Sequence, residues 1–358
     1  MSGINAVTTN APKGGVRYER VTVREDGPVG LSPIYTGICG TDRGMVLGHL
    51  DFSYNPDKQD FIVMGHESIC RVTSADSKTG FREGDIVVPV VRRPGGCINC
   101  RTGRQDNCSD GKKHEAGITG MNGFMRESFT DSPEFLVKVK DPALARVGIL
   151  TEPLKNVVKV FEVFETVSRR SIYFSEDSTY EGKNAYVIGT GAEGFLFSMM
   201  ASEYGFNTSI LNRHPIDENR LKICDAFGMD FVDSSKGIPD ENVDLLIDTS
   251  GDPATLLNFI RRMNYNSIAV MFGTNGKAPP ADFTGKDIDH IVERNISLVG
   301  SVDAAKVHYS RALSYLSRWN SMNAGALSSM ITDEKKPSDV SVFTERNPES
   351  IKIALDWS

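Results

Sequence analysis

Between residues 184 and 302, short apolar runs alternate with segments whose apolar positions recur every three or four residues. The runs at 185–188, 208–211, 230–232, 243–247, 268–272 and 296–299 are mostly continuous, as in strands covered on both faces. Between them, 219–227 and 253–263 carry helical spacing, and Phe195, Leu196, Met199 and Met200 do the same just beyond 194. Strand and helix in turn predict a doubly wound parallel sheet that holds its ligand at the carboxyl ends of the strands. The first 150 residues read differently. Strands such as 85–91 and 136–139 are short and broken by Gly and Pro, which predicts an irregular β domain. Farther on, 304–316 is helical in spacing, and 351–357 is predicted to fold back onto a domain.

The turn after the first of the continuous runs carries the first chemistry. Residues 184–194 read Asn-Ala-Tyr-Val-Ile-Gly-Thr-Gly-Ala-Glu-Gly, a strand leading into G-x-G-x-x-G at Gly189, Gly191 and Gly194. In a dinucleotide site the first glycine permits the tight turn and the second lets backbone approach the pyrophosphate. The third lets helix pack close to strand, with the helix N-terminus facing the anion. Thr190, Ala192 and Glu193 belong to the same loop. The next strand ends at Asn212-Arg213-His214, where an acidic residue would bind the ribose 2′-hydroxyl of NAD. A cation stands there instead, so NADP is the expected cofactor, with Arg213 as a charge-assisted clamp. By the same rule Thr249-Ser250-Gly251 and Gly273-Thr274-Asn275 face the cofactor crevice.

A chain of 358 residues is long for a single core, so two domains are expected. The net charge of −7 argues against nucleic acid or an anionic membrane as partner. No apolar run approaches the roughly 20 residues of a membrane span, and residues 1–10 lack a signal-peptide core. Six cysteines, three of them clustered, read as thiols and metal ligands in a reducing compartment, and the cytoplasm is the expected location.

Cys97 and Cys100 stand in a C-x-x-C, with Cys108 a little further on, a spacing that thiolate coordination of zinc explains and packing does not. A closed structural site needs four ligands, which leaves His114 or Asp110 to complete it. Three more fragments stand apart: Gly37-Ile38-Cys39-Gly40-Thr41-Asp42, Gly65-His66-Glu67 and Thr151-Glu152-Pro153-Leu154. Catalytic zinc takes three protein ligands from Cys, His, Asp or Glu and keeps one exchangeable position. Each fragment is weak by itself, because single cysteines and histidines are more often buried packing groups.

Taken in order with the glycine fingerprint, these fragments resemble the zinc-dependent medium-chain alcohol dehydrogenase family over essentially the whole chain. The runs 11–15, 114–118 and 300–303 and the pair Arg92-Arg93 look like its archaeal, glucose-oxidising branch. The resemblance implies a GroES-like irregular β catalytic domain, 1–155 with 309–358, and a Rossmann NADP-binding domain, 156–308. Cys39, His66 and Glu152 match the catalytic zinc ligands, and Glu67 a carboxylate that joins or leaves the metal. Thr41 matches the hydroxyl that hands on the substrate proton. Positions matching Thr41, Glu115, Glu152, Asn156 and Asp303 contact the sugar in such enzymes. Those matching Thr190 to Glu193, Asn212, Arg213, His214, Phe272, Gly273, Thr274, Ser301, Val302 and Asp303 contact NADP. The first cysteine of the usual structural-zinc set is absent, with Pro94 and Gly95 near its place. Glu152 stands where simple alcohol dehydrogenases have cysteine, and a hard carboxylate that also accepts hydrogen bonds favours a sugar.

The implied reaction is zinc-dependent oxidation of an aldose, D-glucose or D-galactose, at its anomeric carbon. It gives the aldonolactone, with hydride passing to NADP or NAD. The partner is a small sugar, and the family's homo-oligomers, dimer or tetramer, are expected. A polyol or threonine dehydrogenase would share Cys39, His66 and Glu152, and a zinc-free NADPH-binding protein would share only the fold.

Overall fold

The computed structural model describes residues 3–25, 27–172, 180–238, 242–345 and 347–358. They group into two units, one running up to Lys155 and resuming at Asp303, the other from Asn156 to Val302.

The central unit is built on six parallel strands. They lie in the order Asp230–Asp233, Asn207–Asn212, Asn184–Ile188, Val243–Asp248, Met263–Met271, Ser297–Gly300. Every residue of Val243–Asp248 is buried, as its unbroken apolar run requires of a strand inside a two-faced sheet. Helices Ala192–Glu203, Glu218–Ala226, Pro253–Ile260 and Gly285–Glu293 connect the strands. Asp217 and Asp252 cap two of these helices by accepting from the Arg220 and Thr255 backbone N–H groups. Tyr186, Leu211, Leu246, Phe259 and Met263 pack together in the core of this unit. Strand order reverses between Asn184–Ile188 and Val243–Asp248, which opens the crevice where a dinucleotide binds in such sheets. Met263–Met271 begins well before the apolar run at 268. The polar residues 264–267 continue it through an irregularity where Asn266 takes a φ of 62°.

The other unit holds a seven-stranded sheet, ordered Leu136–Lys138, Ile86–Pro89, Glu67–Ala75, Val29–Ile38, Lys352–Asp356, Ile331–Lys335, with Phe129–Asp131 also paired to Val29–Ile38. Val29–Ile38 is its hub. On one side Gly37 pairs with Glu67, and on the other Ile38 pairs with Ile353. The ladder to Glu67–Ala75 slips between Pro33 and Tyr35, so Ile34 has no partner there, and its carbonyl accepts instead from the Trp357 N–H at 3.1 Å. Val29, Leu31, Val72, Val87 and Phe124 fill one core of this unit, and Ile38, Met64, Met125, Phe343 and Leu355 a second. The helix expected over 304–316 runs from Lys306 to Ser329, across a non-helical residue at Asn323. The strand Lys352–Asp356 returns the chain to the hub, the fold-back expected of 351–357. Among the described residues no helix is long and apolar enough to cross a membrane.

The fingerprint glycines differ in what they do. Gly189 has a φ of 110°, and a Cβ on Gly194 would collide with the Gly189 carbonyl oxygen. A Cβ on Gly191 would meet nothing within 4 Å. Gly194 therefore serves helix–strand packing, whereas Gly191 leaves open space beside the helix N-terminus. Gly194→Ala is expected to destabilise the protein by about 1–3 kcal/mol through overpacking, read as a lower urea midpoint; an unchanged midpoint contradicts this account of the turn.

Candidate metal centre and dinucleotide crevice

Because Gly37 lies opposite Glu67 and Ile38 opposite Ile353, three strands end or begin together. Cys39 follows one strand directly, His66 precedes the next, and Lys352 opens the third. The Cys39 sulfur, a His66 ring nitrogen and a Glu67 carboxylate oxygen all lie within 4.8 Å of one another. Cys39 also starts the helix Gly40–Val46, where its N–H donates to Asp42 Oδ2 at 2.9 Å. The other oxygen of the fully buried Asp42 stands 3.4 Å from His66 Nδ1. Burial works against a charged His66, but Asp42, and after it Cys39, outweigh this and hold the imidazole well above its usual range. Sulfur, imidazole and carboxylate at this spacing are a donor set that fits zinc.

Glu67 is buried, and both its oxygens accept from Lys352 Nζ, at 2.6 and 2.7 Å. Gly37 makes the room, since a Cβ there would strike the Glu67 carboxylate. Burial raises the Glu67 carboxyl above its ordinary value, opposed by Lys352 and His66 and reinforced by the charge of Glu152. Glu152 itself is not in the donor cluster. Its Oε1 lies 3.0 Å from Lys155 Nζ, one helical turn along Thr151–Ser168, because a buried carboxylate takes the nearest buried cation. Of the ligand set implied by resemblance, the structure thus gathers Cys39, His66 and Glu67 and holds Glu152 on Lys155. Thr41 is half-buried in the first turn of Gly40–Val46.

Glu115, on the strand His114–Ala116, pairs in register with Arg92. Its Oε1 accepts from Arg92 Nε at 3.0 Å and from Nη2 at 2.6 Å. Arg92 also pairs with Asp303, whose other oxygen is held by Lys155. Burial raises the Asp303 carboxyl, but Lys155 and then Arg92 outweigh it and pull it below the ordinary range. Burial likewise opposes the charge on Lys155, and Asp303 followed by Glu152 raises its pKa instead. Asn156, which opens the central unit, keeps a buried Oδ1 without a hydrogen-bond partner.

In the central unit the loops expected to meet a dinucleotide all leave the carboxyl ends of the parallel strands. Gly191 precedes the helix Ala192–Glu203, whose first turn holds Glu193, and the Thr190 carbonyl accepts from Arg220 Nε at 3.3 Å. Asn212 closes its strand, and His214 is exposed. Arg213 is engaged by Asp252 and by Thr255 Oγ1 at 2.7 Å, yet its side chain stays 64% exposed. The Phe272 ring packs edge-on against Phe197 at 5.1 Å, and the Gly273 N–H donates to the Asp248 carbonyl at 2.9 Å. Thr274 and Val302 are exposed, and Ser301 N–H donates to the Met271 carbonyl at 3.3 Å.

A second thiol cluster forms on its own loop. One sulfur each from Cys97, Cys100 and Cys108 lie within 4.8 Å of one another. Of the two candidates for a fourth ligand, Asp110 is the one at the thiols: its Oδ1 is 3.0 Å from Cys108 Sγ, and its Oδ2 accepts from Gly96 N–H at 2.7 Å. Neither candidate joins the three sulfurs within 4.8 Å, and His114, paired to Arg93 on a strand, turns its Nδ1 toward Gly120 instead. A cavity of about 860 Å³ lined by Lys140, Asp141, Ser310, Ser314 and Arg318 lies elsewhere and takes in none of the candidate residues.

Sequence reasoning passed over Asp42, Lys352 and Lys155, and used Arg92 only as a mark of resemblance. Asp42 alone had a local signal, three residues after Cys39 where a helix-capping carboxylate would stand.

The model of the alcohol dehydrogenase GroES-like domain matches residues 25–141, and that of the glucose dehydrogenase C-terminus matches 145–357. The chain is 53% identical to glucose 1-dehydrogenase of Thermoplasma acidophilum over 100% of both chains. It is 38% identical to that of Metallosphaera sedula over 99% of both. Among solved structures it is similar to Haloferax mediterranei glucose dehydrogenase in complex with NADP, Zn and gluconolactone, with a TM-score of 0.85, 24% identity and 99% of both chains covered. At that identity the likeness speaks to the fold.

The loop thiols and the strand residue Cys70 differ in their tendency to ionise. Hydrogen bonds from the Ser109 and then the Cys100 backbone bring Cys97 down to about 6, whereas burial pushes Cys100 up to about 11 and Cys70 up to about 12. In chelator-treated protein the Cys97 thiolate fills as pH rises through about 6. Iodoacetamide at neutral pH should therefore label Cys97 and spare Cys100 and Cys70, by peptide mass spectrometry. A Cys97 profile centred where an ordinary thiol titrates contradicts this.

Proposed function

The chain belongs to the glucose dehydrogenase family of zinc-type medium-chain dehydrogenases, and from that premise we propose that it oxidises an aldose at the anomeric carbon to the aldonolactone, reducing NADP. The observation that carries the reading is the convergence of Cys39, His66 and Glu67 donors within 4.8 Å. D-glucose is the expected substrate, with D-galactose as a second epimer and NAD as a second acceptor.

Cys39 and His66 would hold zinc with a carboxylate, Glu67 or Glu152. Bound there, the metal supplies Lewis acidity that makes a sugar hydroxyl easier to deprotonate, and the dinucleotide supplies the hydride acceptor. The protein's own part is to bind and orient. Glu115, Glu152, Asp303 and Asn156 offer acceptors to the sugar hydroxyls, and the unpartnered Asn156 Oδ1 supports that role. Thr41 takes the proton from the reacting hydroxyl and passes it outward. Asp42 fixes the ring of His66, and Lys352 governs whether Glu67 is drawn toward the metal or away from it.

For the cofactor, the open space at Gly191 and the N–H groups that begin Ala192–Glu203 suit a pyrophosphate, and the mostly exposed Arg213 suits a 2′-phosphate. Asp252 would have to share that guanidinium with the phosphate. A structural zinc would be held by Cys97, Cys100 and Cys108, and the nearness of Asp110 to Cys108 supports it over His114 as the fourth ligand.

The gathering of Cys97, Cys100 and Cys108 as a thiol cluster suited to a metal supports a reducing compartment, the cytoplasm. A homo-oligomer is supported by Ser297–Gly300, an outermost strand of its sheet with Leu298 exposed, and by the helix just before it in the chain, whose Ile288 and Val292 are also exposed. Light scattering at micromolar concentration should give a multiple of the chain mass, and Leu298→Lys should lower it; a monomeric wild type rules the oligomer out.

Glucose-dependent NADPH formation, followed by absorbance, tests the reaction. Chelation, Cys39→Ser or His66→Ala is expected to lower kcat by at least about a thousandfold, while the NADP Kd measured by titration calorimetry stays within about threefold of wild type. Full turnover in metal-free protein overturns the reading.

A further inference from the structure

Two buried cations stand behind the carboxylates assigned to the sugar, and neither has a role in the reading so far. Arg92 and Lys155 are each almost wholly buried. Arg92 spans two acidic residues: its Nε and Nη2 donate to Glu115 Oε1 at 3.0 and 2.6 Å, and it pairs with Asp303 Oδ2. Its remaining arm, Nη1, donates to the Asp106 carbonyl at 3.2 Å, which anchors the fork to backbone. Lys155 Nζ stands 3.0 Å from Glu152 Oε1 and holds Asp303 Oδ1. Asp303 so divides its two oxygens between the two cations, and it does this from a left-handed backbone with a φ of 58°.

We propose that Arg92 and Lys155 are positioning residues that lock Glu115, Glu152 and Asp303 into one rigid array of hydrogen-bond acceptors, and that this array sets which neutral polyhydroxylated substrate the site takes. The inference rests on the aldose reading above. An ionised carboxylate only accepts hydrogen bonds, so the array asks its ligand for donors, which neutral hydroxyls supply and phosphate or carboxylate groups do not. Neither cation uses every acceptor position. Both N–H groups of Arg92 that reach Glu115 go to Oε1, which leaves Oε2 with only the Thr119 hydroxyl at 3.4 Å. A site built to hydrogen-bond a substrate hydroxyl rejects the analogue lacking it far more strongly than an apolar pocket rejects a change in size. That selectivity requires the acceptor to stay where the hydroxyl arrives, and a Glu or Asp side chain without a fixed partner rotates away. The two cations supply the fixed partners. Neither cation contacts Cys39, His66 or Glu67, a cluster with its own lysine in Lys352, and Lys155 reaches it only through the charge of Glu152.

The test compares kcat/KM for glucose with that for each monodeoxyglucose in the NADP- and zinc-loaded enzyme, together with zinc per chain and the NADP Kd. Lys155→Met removes the charge and keeps much of the length. Glucose KM is expected to rise by at least about tenfold, and the largest glucose-to-deoxyglucose ratio to shrink by at least about tenfold, with zinc content and NADP Kd within about twofold of wild type. Lys155→Arg should restore most of the ratio. A Lys155→Met enzyme that loses activity equally toward every sugar, with its ratios unchanged, shows a purely structural lysine and overturns the proposal. Should that variant fail to fold, Arg92→Lys keeps the charge and loses the planar fork; the ratio is again expected to shrink, and an unchanged ratio overturns the proposal. A wild type inert toward every aldose sinks the parent reading instead, and is seen before any substitution is made.

Discussion

Antiparallel register at one end of a sheet governs the placement of the chemistry. Val29–Ile38 is paired on both sides, and its last residues face Glu67 across one ladder and Ile353 across the other. Residues separated by hundreds of positions thereby meet without any long loop having to be ordered. The thiol of Cys39, the imidazole of His66 and the ammonium of Lys352 all project from strand ends held by backbone hydrogen bonds, which are costly to leave unmade. A site on such a base is stiff, as a donor cluster must be if it is to present a metal with fixed geometry.

The central unit was legible because its signal is local and repetitive. Continuous apolar runs such as 243–247 have one physical explanation, strands covered on both faces, and the glycine spacing at 189–194 falls where strand gives way to helix. Its errors lie at element ends, as at Met263, where tertiary pairing carries a strand through polar residues. In the flanking unit, short strands with mixed faces gave an architecture but no register, so resemblance supplied the ligands. Lys155 and Lys352 could not have been found by either route. A lysine looks solvated in sequence, and only the fold reveals that each lies among carboxylates.

Those lysines bear on the energetics as much as on the site. Buried charges are expensive to desolvate, and a buried pair is weak evidence for stability. Here Lys352 sits on Glu67, Lys155 on Glu152 and Asp303, and Arg92 on Glu115 and Asp303, an unusual density of buried charge for one region. Well-packed apolar residues would hold the fold together at less cost. What the ions provide is a defined set of orientations for the carboxylates of Glu67, Glu115, Glu152 and Asp303.

The slipped pairing at Ile34 has a consequence for how this chain tolerates change. Side chains on a strand alternate between faces, so the offset between Pro33 and Tyr35 decides which face every later residue of that strand presents, and with it how the chain enters Cys39 just beyond Ile38. Exchanging one residue type for another along 35–38 disturbs packing locally. Gaining or losing a single residue there shifts the frame and turns the thiol to the wrong side, so segment length is the stricter requirement for any graft or loop transplant at this edge.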